Sequence, residues 1–186
     1  MNHDMSPLRV AVTGGPGAGK TSVLQRLEQR GYTVVPEAAR EIIAERKAKG
    51  LSARPPPLEF AQAIFGRDAE RYHSVAETEK VVFFDRTILD SLGMMAELGQ
   101  LSDSDRHRLL ARYPYYPTAF ILPPWREIYR TDSERDQTYE DAVRVYESLR
   151  DWYVECEYTL IEVPPATVDE RCDFLLQSLG EARDDA

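Results

Sequence analysis

Gly14, Gly19, Lys20 and Thr21 anchor the pattern GGPGAGKT over residues 14–21, and this pattern has the most specific chemistry in the chain. A polyphosphate concentrates negative charge, so backbone amides must approach it without intervening side chains. Gly14, Gly15, Gly17 and Gly19 permit that approach, and a helix starting near Lys20 adds free amides and the positive end of its dipole. The expected ligand is a nucleoside triphosphate, ATP or GTP, cradled by Gly15, Pro16, Gly17, Ala18, Gly19, Lys20, Thr21 and Ser22. Lys20 should reach the β- and γ-phosphates, and the Thr21 hydroxyl should hold Mg²⁺. A chance glycine-rich turn would lack the apolar run before it and the helical spacing after it.

A loop-held Mg²⁺ calls for a second carboxylate at the end of a neighbouring apolar strand, and Asp85 follows VVFF. The plainer reading of Asp85 is a cap on the next helix. Arg86 is next, either holding phosphate or substrate or pairing with Asp90. Glu37, directly after TVVP, would face the loop and could take a hydroxyl proton or orient an acceptor; otherwise it is a first-turn glutamate favoured by the helix dipole, with Arg40 as its partner. Gln62 and Arg67 could touch substrate but read better as exposed polar positions. The segment WREIYRTDSERDQ carries Arg126, Arg130 and Arg135, which could neutralise charge on a transferring phosphoryl group from a closing flap. Its interleaved Glu127, Asp132, Glu134 and Asp136 also suit a solvated, salt-bridged helix.

These residues need elements to hold them. Short apolar runs at Leu8–Thr13, Thr33–Pro36, Lys80–Phe84, Thr118–Leu122 and Tyr158–Val163 read as strands. Helical spacing covers Lys20–Arg30, Glu37–Lys49, Leu58–His73, Thr87–Leu98, Ser102–Tyr113, Tyr139–Cys156 and Val168–Leu179, the last with Thr167 as N-cap. Gly31 and Gly50 close the first two helices. Strands alternating with helices predict an α/β fold with a parallel sheet covered on both faces, whose ligands lie at the carboxyl ends of the strands. Gly14, Glu37, Asp85 and Pro123 all follow strand ends. The Tyr113–Pro117 cluster should pack a turn against the sheet, and Pro164–Thr167 either passes beneath a nucleobase or simply starts a helix.

Composition narrows the partners. With 186 residues, one domain spanning 1–186 is expected, with a core over about 8–180 and frayed ends up to Pro7 and from Glu181. A net charge of −9 disfavours nucleic acid as a partner. Cys156 and Cys172 show no pairing logic and read as small buried hydrophobes of a reducing, cytoplasmic setting. No run is long enough to span a membrane, and MNHDMSPLRV lacks the features of a signal peptide.

Taken in order, TGGPGAGKT, VVPEAAR, VVFFDRT and RTDSERDQTYEDA resemble the small AAA-type P-loop ATPase/kinase family related to the nicotinamide riboside kinase domain, from Leu8 to Leu179. Asp85-Arg86-Thr87 is similar to the Asp-Arg-Ser/Thr/Tyr motif of thymidylate and deoxynucleoside kinases. The resemblance implies a three-layer P-loop NTPase fold with a five-stranded sheet ordered 2-3-1-4-5 and a helical lid over about 125–137. It also implies a metal-supporting Asp85, a phosphate- or substrate-contacting Arg86, an acceptor-side base at Glu37 and lid arginines among Arg126, Arg130 and Arg135. Glu37 is followed by Ala38-Ala39-Arg40 where thymidylate kinases have Pro-Gly, so substrate identity does not carry over.

Two functions follow as expectations. One is transfer of the ATP γ-phosphate to a small acceptor such as a nucleoside or nucleotide. The other is a nucleotide-dependent hydrolase, switch or binding module. No NKxD or TKxD guanine-reading motif is present, and Asp90-Ser91-Leu92-Gly93 lies too far past its strand to serve as a switch DxxG. An AAA+ motor lacks the chain for a second helical domain, and an ABC-type ATPase lacks its LSGGQ-like signature.

Overall fold

The computed structural model describes residues 7–77, 79–129 and 138–184, with side chains described to residue 180. Five strands form the sheet: β1 (Leu8–Gly14), β2 (Thr33–Val35), β3 (Val81–Asp85), β4 (Thr118–Leu122) and β5 (Thr159–Glu162). They run parallel in the order β2-β3-β1-β4-β5, as expected. The helices are α1 (Lys20–Gln29), α2 (Ala38–Ala48), α3 (Pro57–Ser74), α4 (Ile88–Glu97), α5 (Asp103–Arg112), α6 (Tyr139–Glu155) and α7 (Val168–Asp184).

Period-two alternation sends successive strand residues to opposite faces, and both faces are apolar because helices cover both. Val10, Val12, Phe83, Phe120 and Leu122 pack against Val23, Leu24 and Leu27 of α1 and Cys172, Leu175 and Leu179 of α7. Ala11, Val82, Phe84, Ala119 and Ile121 pack against Tyr72 of α3, Ile88, Leu89 and Leu92 of α4, and Trp152 and Tyr153 of α6. A smaller cluster of Ala38, Ile42, Phe60 and Ile64 ties α2 to α3. Cys156 and Cys172 are buried free thiols in the two main layers.

Register brings the functional strand ends side by side. Val12 of β1 lies opposite Asp85 of β3 and also opposite Phe120 of β4, and Gly14 lies opposite Leu122. The phosphate-loop residues therefore emerge between the ends of β3 and β4. A β-carbon on Gly14 would sit 2.5 Å from the Leu122 carbonyl oxygen, and its φ of +139° is one that L side chains rarely adopt.

Local chemistry sets the helix starts. Thr87 caps α4 and Thr138 caps α6 by reciprocal boxes with Asp90 and Asp141, while Ser102 caps α5. α7 runs on to Asp184, past Glu181 where a frayed end is expected. Residues 126–128 form a turn against the loop; residues 130–137 of the expected helical lid, with Arg130 and Arg135, lie outside the described residues. No described helix is long and apolar enough to cross a membrane.

Candidate active site

The phosphate-loop glycines do what their positions require. Gly17 and Gly19 take φ of +74° and +83°, and a β-carbon on Gly17 would meet the Tyr129 ring at 2.5 Å. On Gly19 it would meet the Arg171 guanidinium at 2.7 Å. Gly19 is followed immediately by the first turn of α1, so Lys20 and Thr21 begin the helix and leave its free amides facing the loop.

Lys20 is 6% exposed and donates to the Gly14 carbonyl oxygen at 3.3 Å. Burial and then the Arg86 charge lower its pKa, against the pull of Asp85, Glu37 and Asp90. Arg86 donates to the same carbonyl at 3.0 Å, pairs through Nε with Glu37 at 3.2 Å and through Nη1 with Asp90 at 3.1 Å. The pairing with Asp90 is the plainer of its two expected roles, and the contact with Gly14 sets it against the phosphate loop. Its backbone φ is +65°. For a bulky residue such a conformation costs about 1–3 kcal/mol and persists only where the surroundings over-determine it. Here the Arg86 amide is held on the Val12 carbonyl at 2.9 Å while its side chain makes three further contacts.

Glu37 stands at the start of α2 without capping it, so the structure does not use it as a helix-end ligand. Its carboxylate instead bridges Arg86 and Arg40, the latter at 2.9 Å. Burial pushes its pKa up, but the charges of Arg86, Lys20 and Arg40 outweigh that and hold it below the usual glutamate range. Those three cations favour its carboxylate form.

Asp85 has a buried Oδ1 with no hydrogen-bond partner. Burial, partly offset by Lys20, and then the Glu37 charge raise its pKa. An orphaned, buried carboxylate oxygen at the end of β3 fits Mg²⁺. Asp85 and Thr21 would hold it, and it would neutralise phosphate oxygens. No group of three or more acidic, histidine or cysteine side chains able to bind a metal occurs among the described residues.

The structure gives larger roles to residues that sequence reasoning missed or named only as a pairing partner. Asp90 is the hub. Its Oδ1 accepts from Thr13 at 2.6 Å and from Arg86, and its Oδ2 from the Thr87 amide and from Tyr153 at 2.7 Å. The spacing of Asp90 from Arg86 was its only local signal. Arg171, 2% exposed, donates to the Ala18 carbonyl at 2.9 Å and lies beside the Trp125 ring. A lone arginine on an apolar helix face offers no signal in sequence. Asp68 of α3 is buried at the edge of the same cleft.

Other expected residues fall elsewhere. Arg126 is exposed, lying over the Tyr139 ring at 4.4 Å and paired with Glu140 at 3.5 Å, rather than among the residues lining the cleft. Gln62 is exposed, and Arg67 joins Glu41 and Glu45 on α2. Ala166 and Thr167 line the cleft, so the segment after β5 borders the loop as well as starting α7. The Tyr113–Pro117 cluster packs on the sheet, with Tyr113 and Tyr115 buried.

The cleft has a volume of about 1730 Å³ and runs from the phosphate loop past Glu37, Arg86 and Asp90 to α3, α4 and α6. It is larger than the about 300–1,000 Å³ of a typical single-ligand pocket.

Solved structures with this architecture include deoxyadenosine kinase from M. mycoides with dCMP and dCDP bound. It is 15% identical, with a TM-score of 0.63 over 94% of this chain and 100% of that one. Thymidylate kinase from Candida albicans is 11% identical, TM-score 0.60, over 97% and 94%. Shikimate kinase from Aquifex aeolicus is 16% identical, TM-score 0.57, over 95% and 98%. At such identities the shared feature is the fold, that of the small P-loop kinases. No curated protein matches the chain by sequence. The profile of one AAA domain family, AAA_28, covers residues 9–171, and the chain belongs to that family.

Proposed function

We propose that this protein is an ATP-dependent phosphotransferase that moves the γ-phosphoryl group to a hydroxyl of a small-molecule acceptor. One observation carries the reading: Arg86 joins the phosphate loop to Glu37, contacting the Gly14 carbonyl and the Glu37 carboxylate at once. Donor-side and acceptor-side groups are thereby held in one rigid unit at the strand ends. A switch needs the loop but has no use for an ionised, half-buried glutamate facing it.

In this reading Lys20 and the loop amides bind the β- and γ-phosphates, and Thr21 and Asp85 support Mg²⁺. Glu37 accepts the proton of the attacking hydroxyl, and Arg86 stabilises charge on the transferring group. Such catalysis is positioning plus charge neutralisation. The deoxyadenosine, thymidylate and shikimate kinases that share the fold support it by likeness of architecture.

The test is transfer of labelled γ-phosphate from ATP, with Mg²⁺, to a panel of nucleosides, nucleotides and other small alcohols. A labelled acceptor supports the reading. Nucleotide hydrolysis alone, with every acceptor unlabelled, would replace it with a hydrolase or switch.

A further inference from the structure

Asp68 lies on α3, is 8% exposed and lines the cleft. Its carboxyl makes no hydrogen bond or ion pair with any described residue. A buried acid normally finds partners, because an unsatisfied one costs several times what a made hydrogen bond contributes. Every cation in reach is engaged elsewhere. Arg71, one turn along, donates to the Pro36 carbonyl at 2.5 Å and pairs with Glu41. Arg86 is taken by Glu37, Asp90 and Gly14.

The surroundings of Asp68 describe what would satisfy it. Phe60 and Ile64 precede it at helical spacing on the same face of α3, and Met94, Leu149 and Trp152 line the cleft from α4 and α6. Asp68 thus shares the cleft wall with apolar and aromatic side chains from three helices. Apart from Lys20 and Arg171 at the phosphate loop, the cations that line the cleft are either paired with carboxylates or exposed to solvent. Arg40 is paired with Glu37, Arg106 with Asp103 and Glu155, and Arg144 with Asp141, while Lys47 and Arg54 are exposed. A phosphorylated acceptor would bring about two negative charges toward Asp68, Glu37 and Asp90, whose neighbouring arginines Arg71, Arg86 and Arg40 are already paired with carboxylates.

We propose that Asp68 reads the acceptor, taking a hydrogen bond from an N–H or O–H group of an unphosphorylated, ring-containing alcohol whose hydroxyl receives the phosphoryl group. This rests on the phosphotransferase reading above. The acceptor oxygen forms a bond to the γ-phosphorus as the bond to the bridging oxygen breaks. ADP leaves with that electron pair, the hydroxyl proton passes to Glu37, and the product is a phosphate monoester.

The full-length protein is incubated with γ-labelled ATP and Mg²⁺, using ribo- and deoxyribonucleosides beside their 5′-monophosphates, and a small-molecule cell extract as a wider acceptor pool. Phosphorus NMR distinguishes a monoester from a phosphoanhydride. The expected product is a monoester. Asp68→Asn, which keeps the shape of the side chain, should raise the acceptor KM by about tenfold or more, with kcat changed less than about threefold and calorimetric ATP affinity kept within about twofold. A phosphoanhydride made from a monophosphate, or an unchanged KM in Asp68→Asn, overturns the inference while leaving a kinase in place. No labelled product from either pool overturns the phosphotransferase reading, and this inference with it.

Discussion

Lys20 and Arg86 donate to the same atom, the carbonyl oxygen of Gly14, at 3.3 and 3.0 Å. Two cations converge on one neutral acceptor, and the Arg86 charge contributes to the lowered Lys20 pKa. A triphosphate relieves that crowding by giving Lys20 an anionic partner, so the arrangement is already biased toward binding.

The first prediction concerns that lysine. Lys20→Ala removes the charge that meets the β- and γ-phosphates and should weaken ATP binding by about 100-fold or more, read by calorimetry. Unchanged affinity would disprove the assigned role of the loop.

Glu37 tests the acceptor side. Glu37→Gln keeps the side-chain shape and removes the proton acceptor, so kcat should fall by about 10²- to 10⁴-fold while ATP affinity changes little. Retained turnover would exclude Glu37 as the base.

Asp90 tests the architecture. Asp90→Ala strands the buried Arg86 charge and leaves Thr13, Thr87 and Tyr153 without their acceptor. A loss of about 3–5 kcal/mol in urea unfolding is expected, against about 1–2 kcal/mol for Tyr153→Phe. Equal losses would show that Asp90 is not the hub.

Asp68 carries a pH dependence. Its pKa is pushed up to about 7 by burial and by the Asp90 charge, opposed by Arg71, raised again by Glu37 and opposed by Arg86. A carboxyl whose pKa is raised by folding binds its proton more tightly in the native state. Its stabilisation is full below the unfolded pKa near 4 and is lost as pH rises through about 7. Asp68→Asn removes that loss, so its stability relative to the parent should grow from pH 4 to pH 8 by on the order of 2–4 kcal/mol. Parallel stability–pH curves for the two proteins would refute the shift.

The sequence by itself determined what depends on neighbours in the chain. GGPGAGKT is contiguous, and its glycines, lysine and threonine act through local backbone geometry, so a triphosphate site was legible from residues 14–21 alone. The strands were legible because each is a short apolar run buried on both faces, and their order followed from the resemblance the motifs carry. Asp85 and Glu37 were legible as polar residues just past strand ends. Tertiary structure alone decided the rest. Asp90 meets Thr13 across 77 positions, and Arg171 meets Ala18 across 153. No local pattern encodes such contacts, because they arise only when parallel strands set distant chain segments side by side. Asp68 shows the same limit from the opposite direction. In the sequence it is one more acid on a helix, and only the packing of α3 against α4 removes it from water and leaves it facing the cleft without a partner.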